Sequence, residues 1–312
     1  RWAEMKDEDG EHLYNVVLVT DVEPVDDEYD LSEKVQRAYV PPFKSSVKEK
    51  YRERYRAWAN IIRKFDIDIV VSSLWVAPVI YWDMLAIKGQ FTKPAFIIHA
   101  HNFCAVPYEF IGNTAVAQIY KYMTCDGVVT LSECDKLFAS SFNNHVEYIL
   151  NPIAFNPRTL PLSTYAAKTI VWVGRISQEK QPTDVIKMMK FVVDKVPDAR
   201  LLIVGDGVES IENQMLELVH EYDLDNNVEM TGFTLDVAHY YGMASVMVCT
   251  SKFEGFPLTI GEAMSFGVPI VSYDMPWLTY IQDGRGIITV PQKKYGLLAQ
   301  KVVELLNNPK QM

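Results

Sequence analysis

Residues 251–274 read SKFEGFPLTIGEAMSFGVPIVSYD and predict a strand end, a glycine-containing loop, a helix and a second strand. The preceding residues, Val246 to Cys249, are apolar, as in a strand buried on both faces. Pro257 stands where a helix can begin, because its φ is already set and no amide hydrogen is lost. Helical periodicity runs from Leu258 to Phe266, and Gly267 lies where a left-handed C-cap belongs. The stretch therefore predicts a strand–helix–strand unit of a parallel sheet.

Two carboxylates flank the start of this helix. Glu254 falls in the loop before it, and Glu262 lies about one turn inside it. The free amide hydrogens and the positive end of the helix dipole between them suit an anion whose two ends carry hydroxyl groups. A nucleotide sugar has this form, with sugar hydroxyls for Glu254, diphosphate for the amides and ribose hydroxyls for Glu262. Taken alone, the pair also fits a helix cap and a solvated helix residue.

The segment from Glu254 to Val271 resembles the E-x7-E signature of the retaining glycosyltransferases of family four, the glycosyl transferases group 1. The resemblance includes both acids, the glycines and the proline together. It implies the GT-B fold, an α/β architecture of two doubly wound Rossmann-like domains with a cleft between them. It also implies that the donor site includes the loop and the first helical turn, namely Gly255, Phe256, Pro257, Leu258 and Thr259.

Predicted strands alternate with predicted helices from residue 67 to 150 and again from 169 to 306. This alternation is typical of parallel sheets covered on both faces, and the proline-containing segment 152–165 predicts a linker. We therefore expect two domains, over 1–160 and 161–312, and the resemblance implies that the first binds the acceptor and the second binds the donor.

The resemblance is incomplete at both ends of the chain. Family members normally open with a strand, a glycine-rich loop and a helix, and no such unit precedes a first predicted strand over Tyr14–Thr20. They also tend to end with a long helix that crosses back to the first domain. We therefore expect the sequence to be a fragment truncated at both ends, without the first βα unit and the final helix.

Composition narrows the class of protein. The chain has 312 residues, 49% of them hydrophobic, and a net charge of −10, which disfavours a nucleic-acid binder but leaves a local basic site possible. Four scattered cysteines without a C-x-x-C pair indicate a reducing compartment and no zinc site. The apolar run Ile67–Ile87 contains Asp68, Pro78 and Asp83, so it predicts a strand and a helix rather than a membrane span. We expect a cytoplasmic protein.

A long amphipathic helix is predicted over Ser45–Phe65. Its apolar side includes Trp58 and Ile61, and its other side is basic. The basic face is compatible with contact to anionic lipid at the inner face of a membrane, although such faces are more often simply solvated.

The segment Val173–Lys180 follows a predicted strand and precedes a predicted helix. Gly174 allows close approach of the backbone, and Arg175 and Lys180 can place two cations over a diphosphate. Taken alone, Arg175 and Lys180 are better explained as ordinary loop cations. The family resemblance implies that they hold the donor phosphates, so that the leaving group is neutralised without a metal.

Two further loops are assigned to the donor nucleotide. Gly205 belongs to a short glycine loop in which Ser210 replaces the third glycine of a dinucleotide fingerprint, so we interpret it as a tight turn near the nucleotide. The segment Val228–Phe233 resembles the base-binding edge of the family, where mainly backbone groups contact the ring. Met230 and Phe233 are candidate contacts there and are equally plausible as core residues.

His99 and His101 lie at the carboxyl end of a predicted strand, where α/β sites form. Alternation points both to the same side, which makes a metal conceivable, but no third ligand stands at a recognisable spacing. The resemblance implies one active-site histidine here, near the transferred sugar. His101, which Asn102 follows, fits that role better than His99.

The resemblance implies retaining transfer of a hexose from a nucleotide diphosphate sugar, uridine-linked, to the hydroxyl of a glycan, lipid-linked or other acceptor in cell-surface polysaccharide synthesis. The predicted catalytic residues are Glu254, His101, Arg175 and Lys180, and no cofactor or metal is expected, since the nucleotide sugar is a substrate. Two alternatives stay open. One is a nucleotide-sugar epimerase or hydrolase on the same fold, and the other is a non-catalytic glycosyltransferase-like partner subunit, which would predict loss of the cations or acids. Neither the acceptor nor the oligomeric state has a sequence signature.

Overall fold

The computed structural model describes residues 2–22, 31–42, 48–73, 78–101, 114–153, 155–156, 159, 162–163, 167–275 and 286–308. The chain divides into two compact units. The first comprises residues 1–101, 107–130 and 136–147, and the second comprises residues 102–106, 131–135 and 148–312.

The first unit contains two β-sheets. β1 (Val17–Thr20) and β2 (Gln36–Tyr39) form a two-stranded parallel sheet. A four-stranded sheet follows in the order β3-β4-β5-β6, in which β4 pairs in parallel with both β3 and β5. Its elements, with the helices between them, are α1 (Lys48–Phe65), β3 (Ile69–Ser72), α2 (Pro78–Lys88), β4 (Ala95–His99), α3 (Thr114–Thr124), β5 (Gly127–Thr130), α4 (Glu133–Ala139) and β6 (Val146–Tyr148).

The predicted alternation of strands and helices is confirmed in this unit, with shifts at the element ends. The sequence predicts a helix over Glu133–Phe142 and a strand over Val146–Leu150, whereas α4 ends at Ala139 and β6 ends at Tyr148. The apolar run 67–87 forms β3 and most of α2, as predicted. Among the described residues, no helix combines the length and the apolar composition that crossing a bilayer requires.

The second unit alternates strands and helices from β7 to β11, and β12 and α9 complete it. Its elements are β7 (Thr169–Val173), a 3-10 turn (Gln178–Lys180), α5 (Pro182–Val193), β8 (Arg200–Val204), α6 (Glu209–Glu221), β9 (Val228–Gly232), α7 (Val237–Met243), β10 (Val246–Cys249), α8 (Leu258–Ser265), β11 (Ile270–Tyr273), β12 (Ile287–Val290) and α9 (Tyr295–Asn307).

The six strands of this unit pair in parallel in the order β12-β11-β10-β7-β8-β9. Numbered from β7, this is the 3-2-1-4-5-6 order of a Rossmann sheet, read from the opposite edge. The strand order reverses between β7 and β10, which are neighbours. In open α/β sheets the crevice outside the carboxyl ends of the strands at such a reversal is where ligands bind.

The core of the second unit lies on both faces of this sheet. Val246 and Val248 join a buried cluster with residues of α5, α6 and α9, whereas Met247 and Cys249 join a second cluster with residues of α7 and α8. Because successive side chains of a strand point to opposite faces, helices cover both sides of β10. The doubly wound arrangement predicted from the sequence is confirmed for this unit.

Two helix caps are present, and the sequence predicts the one at Gly267. Gly267 follows α8 with a φ of 73°, the left-handed conformation that favours glycine, and its amide donates to the Met264 carbonyl at 3.0 Å. The Ser132 hydroxyl caps α4, because it accepts a hydrogen bond from the Asp135 amide at 3.1 Å. Pro257 lies one residue before α8, at its N-cap.

A buried ion pair holds the first unit together. Arg54 lies on the buried side of α1 and donates two hydrogen bonds of 2.6 Å to Asp83 of α2. Its guanidinium also donates to Asp21 at 3.2 Å and to the Pro41 carbonyl at 2.6 Å. Since Asp21 follows β1 and Pro41 follows β2, one side chain ties the small sheet to two helices.

We expect R54A to lower the free energy of unfolding of the first unit by about 3–5 kcal/mol, because it leaves the Asp83 carboxylate buried without a cation. The double variant R54M/D83L removes both charges and is expected to lose far less. Urea unfolding followed by tryptophan fluorescence measures both, since Trp58 and Trp82 lie in α1 and α2. R56A, an exposed arginine of the same helix, is the control. Equal losses for R54A and R56A would contradict a stabilising role for the pair.

Candidate functional site

The loops that follow β7 and β10 are bonded to each other at the reversal of strand order. The Lys252 amide donates to the Glu179 carbonyl at 2.7 Å, and the Thr250 hydroxyl donates to the Lys180 carbonyl at 2.8 Å. Thr250 also accepts a hydrogen bond of 2.9 Å from the indole of Trp172, a residue of β7. The two loops therefore form one structure above the carboxyl ends of adjacent strands.

This contact brings together two of the predicted catalytic residues. The Lys180 ammonium donates to the Glu254 carboxylate, which also accepts a hydrogen bond of 2.6 Å from Ser251. The side chains of Lys180 and Glu254 are 24% and 13% exposed, so the ion pair is largely withdrawn from solvent but open on one side. Lys180 and Glu254, which belong to different loops, thus form an ion pair where the strand order reverses.

Arg175 has a different environment. Its guanidinium pairs with Glu179 at 2.9 Å, and its side chain is 73% exposed. It belongs to the same loop as Lys180 but does not reach Glu254 in this arrangement. An exposed pair of this kind contributes little to stability, so the guanidinium can change partner at small cost.

Glu262 lies one turn inside α8, as predicted, and its partner is Tyr241 of α7. The Tyr241 hydroxyl donates to the Glu262 carboxylate at 3.0 Å. Burial raises the pKa of Glu262, and the hydrogen bond from Tyr241 opposes that shift. Burial also raises the pKa of Tyr241, so its hydroxyl stays a donor. The carboxylate is thereby held at a fixed orientation in a partly desolvated place.

The remaining donor-site residues around α8 form the loop and the first helical turn. Gly255 and Pro257 are buried, Phe256 and Thr259 are partly buried, and Leu258 is exposed. Because the helix begins at Leu258, the amides of Leu258 and Thr259 have no carbonyl partner within the helix, whereas the Ile260 amide donates to the Pro257 carbonyl at 3.1 Å. These amides and the positive end of the helix dipole follow Glu254 by a few residues in the chain.

The glycines of the neighbouring loops serve contacts between backbones. A Cβ atom on Gly205 would lie 2.1 Å from the carbonyl oxygen of Gly174, and one on Gly207 would lie 2.1 Å from that of Ile176. The Gly205 amide also donates to the Gly232 carbonyl at 2.9 Å. The backbone that approaches Gly174 closely is therefore that of the loop after β8. These contacts join the loops after β7, β8 and β9.

Met230 and Phe233, the two candidate base contacts, have different surroundings. Met230 is partly buried and packs against the core of the second unit. Phe233, just beyond the end of β9, is 62% exposed. Each residue could be a base contact or a core residue. Met230 lies at the edge of the core, whereas Phe233 exposes its ring to solvent.

His99 and His101 lie in the first unit with their ring centroids 4.0 Å apart. Burial lowers the pKa of both imidazoles, and the neighbouring His101 lowers the pKa of His99 further. The Nε2 atom of His99 is buried without a hydrogen-bond partner among the described atoms. Asn102, named beside His101 in the sequence, lies outside the described residues. In the described part of the chain, no three His, Cys, Asp or Glu side chains are grouped to hold a metal ion.

Two glutamines that were not predicted tie the site loops together. Gln181, buried and left-handed with a φ of 48°, donates to the Thr250 carbonyl and to the Gln292 side chain, both at 2.9 Å. Gln292 in turn donates to the carbonyls of Ser251 at 3.1 Å and Asp274 at 2.9 Å. The loops after β7, β10, β11 and β12 are thus joined. No local pattern marks these glutamines, because their partners are backbone carbonyls distant in sequence.

Comparison with known proteins finds a family match for the second unit. A family described as Glycosyl transferases group 1 matches residues 167–308. This stretch contains the whole six-stranded sheet together with Lys180, Glu254 and Glu262. The match is therefore to the unit that carries the acid pair and the loop cations.

Curated relatives match over part of their length. An uncharacterised glycosyltransferase of Haemophilus influenzae is 36% identical over 172 residues, which are 54% of this chain and 48% of that protein. A poly(glycerol-phosphate) alpha-glucosyltransferase of Bacillus subtilis is 30% identical over 161 residues, 51% of this chain and 23% of that protein. The chain spans about half or less of the length of these two relatives.

The structure is similar to solved glycosyltransferases as well. HepE of Anabaena, crystallised in complex with UDP and glucose, superposes with a TM-score of 0.73 over 89% of this chain and 77% of that chain, at 15% identity. This similarity confirms the GT-B fold expected from the sequence. Residues 167–308 are thus similar to the glycosyl transferases group 1 family, on a chain that has the GT-B fold.

Proposed function

We propose that the protein to which this chain belongs is a retaining glycosyltransferase that moves a hexose from a UDP-linked sugar to an acceptor hydroxyl. The observation that carries the proposal is the Lys180–Glu254 pair at the reversal of strand order, with Glu262 on the helix that follows. The family match over residues 167–308 supports it. The similarity to HepE, a protein crystallised with UDP and glucose, supports the choice of donor.

The donor diphosphate would enter next to the Lys180–Glu254 pair. In the structure these two charges neutralise each other. Diphosphate would recruit Lys180, and the exposed Arg175 would leave Glu179 to join it. Glu254 would then accept hydrogen bonds from sugar hydroxyls. Charge on the departing diphosphate is met by two cations and the amides of α8, so the reaction would need no metal.

Glu262 would bind the ribose. A carboxylate has about four acceptor positions, and the Tyr241 hydroxyl occupies one of them. Ribose hydroxyls would supply further hydrogen bonds to a group that burial has already partly desolvated. Tyr241 positions this carboxylate, whereas Phe233 is left to contact the base.

The acceptor side of the proposal rests on the first domain, residues 1–160, with the donor bound by residues 161–312. His101 is kept as the active-site histidine of that domain. The Bacillus subtilis relative, named for glucosylation of poly(glycerol-phosphate), supports a glycan or polyol acceptor in cell-surface polysaccharide synthesis. The proposed place of action is the cytoplasm, with peripheral contact to the inner face of the membrane.

The alternatives differ in product. An epimerase or hydrolase on the same fold would change UDP-glucose in the absence of an acceptor, whereas a transferase would consume it only with one. A non-catalytic partner subunit would bind donor without turning it over. Chromatography of products from donor alone and from donor with a panel of glycans separates the three.

Two substitutions test the assignment of Lys180 and Glu254. We expect K180M to weaken UDP binding to the 312-residue chain about 10- to 100-fold, because a charge-assisted hydrogen bond to phosphate is lost. E254Q is expected to keep UDP affinity within about threefold but to slow sugar transfer at least about 100-fold in the full-length protein. Calorimetry with UDP and a transfer assay measure the two effects.

The control for both is K195M, an exposed lysine beyond α5. Normal UDP binding by K180M would place the diphosphate elsewhere. Transfer at the wild-type rate by E254Q would remove Glu254 from the mechanism.

Substitution of Glu262 is expected to increase stability but to weaken binding of UDP. Because its pKa is raised in the folded protein, folding favours the protonated acid, and the cost of the buried charge appears as pH rises above the ordinary value of 4.5. We expect E262Q to raise the melting temperature at pH 7, with the gain vanishing near pH 4, while UDP affinity falls.

Thermal melting from pH 4 to 8, with and without UDP, measures both effects. E217Q, on the exposed side of α6, is the matched control and is expected to change neither. A pH-independent change in the melting temperature of E262Q would show that packing, not charge, dominates at this position.

A further inference from the structure

Gln292 lies in the loop after β12 and contacts the segment that leads to Glu254. Its side-chain amide donates to the carbonyls of Ser251 at 3.1 Å, Lys252 at 3.4 Å and Asp274 at 2.9 Å. Two of these acceptors belong to the three residues that precede Glu254. One side chain therefore joins the loops after β10 and β11 to the loop after β12.

A second glutamine sets the orientation of this amide. Gln181 donates to the side-chain oxygen of Gln292 and to the Thr250 carbonyl, both at 2.9 Å. A glutamine side chain has one acceptor oxygen and two amide hydrogens. Because the oxygen of Gln292 accepts from Gln181, its amide nitrogen faces the backbone carbonyls. The carbonyls of three consecutive residues, 250 to 252, thus accept hydrogen bonds from this glutamine pair.

The backbone of Gln292 is restricted by the residues on either side. Pro291 precedes it with a fixed φ, and the Lys293 ammonium, which follows, lies 3.1 Å from the carboxylate of Asp184 in α5. The Asp184 side chain is 2% exposed and also accepts a hydrogen bond of 3.0 Å from the hydroxyl of Tyr273, the last residue of β11. Gln292 therefore projects from a fixed backbone, as is required of a residue that positions others.

The orientation of the Glu254 carboxylate depends on the same segment. The carboxylate accepts a hydrogen bond of 2.6 Å from the hydroxyl of Ser251, a residue that is 3% exposed, and it pairs with Lys180. This hydroxyl projects from the residue whose carbonyl accepts from Gln292. A shift of the Ser251 backbone would therefore move the group that orients Glu254.

We propose that Gln292 is a positioning residue for sugar transfer, which fixes the backbone at Ser251 and Lys252 so that Glu254 meets the sugar hydroxyls in one orientation. The inference rests on the proposed function, because Gln292 acts through Glu254. Misplacement of a group at the reacting centre by about 1 Å can lower a rate about 100-fold, even when the changed residue lies away from the chemistry. The loss is expected in the rate of transfer rather than in donor affinity, since the Lys180 carbonyl keeps its hydrogen bond from Thr250.

The variant Q292M tests this role, because methionine has a similar length but neither the donor nor the acceptor of glutamine. In the full-length protein we expect kcat to fall about 10- to 100-fold, with KM for the UDP-sugar within about threefold of wild type. UDP affinity of the 312-residue chain, measured by calorimetry, is expected to stay within about threefold, which also shows that the variant is folded. The matched control is Q214M, at an exposed glutamine of α6, and is expected to change none of these quantities.

A double variant separates positioning from general destabilisation. If Gln292 acts through Glu254, E254Q/Q292M transfers sugar within about threefold of the rate of E254Q alone, because no carboxylate is left to be oriented. Losses that multiply in the double variant would overturn the proposal, since they would show an effect independent of Glu254. Transfer by Q292M at the rate of Q214M would overturn it as well.

The variant Q181N provides a second test, which also serves if Q292M folds poorly. Asparagine tolerates the left-handed conformation of residue 181, which has a φ of 48°, but its side chain is one methylene too short to hold Gln292. We expect the same fall in kcat and the same lack of additivity with E254Q. Slow transfer by E254Q with normal transfer by Q292M and Q181N would overturn this inference alone. Normal transfer by E254Q would overturn the proposed role of Glu254 and this inference with it.

Discussion

The candidate site depends on the bond between the loops that follow β7 and β10. Parallel strands deliver their carboxyl ends to one edge of the sheet, and the strand order makes β7 and β10 neighbours. Thr250 then ties the two loops together, since its hydroxyl donates to the Lys180 carbonyl and accepts from Trp172. Only because these loops are joined do Lys180 and Glu254, 74 residues apart in the chain, meet as an ion pair.

The charged groups of this chain are held in two ways that suit different tasks. Arg54 is almost fully buried and saturated by two acids and a carbonyl, so any change of partner would leave a charge unpaired in the core. Lys180 and Glu254 keep part of their surface in solvent, and Glu262 has one hydrogen bond and a raised pKa. Groups held in the second way can exchange partners when an anion arrives, which is what a binding site requires.

The net charge of the chain does not describe two local groups of charged residues, one in each unit. In the second unit, the loops after β7 and β10 carry both cations and acids. Neighbouring side chains there suit the binding of a diphosphate and of sugar hydroxyls. In the first unit, α1 contains seven of the 30 basic residues and two of the 40 acidic ones, and Arg52, Arg56 and Arg63 are exposed. Because charges beyond about 8–10 Å are screened at physiological salt, each surface acts through its own neighbourhood rather than through the total of −10.

The sequence by itself determined the elements of the second unit and the chemistry of its loops. The bounds of β10 agree with prediction, as do the C-cap at Gly267 and the positions of Glu254 and Glu262 in the chain, because periodicity, proline and glycine act within a few residues. Tertiary structure decided the partners. Gln181 and Gln292 meet across 111 residues, and Arg54, which stands among surface cations in the sequence, proves to be buried. Such contacts depend on strand order and helix packing, which local patterns do not encode.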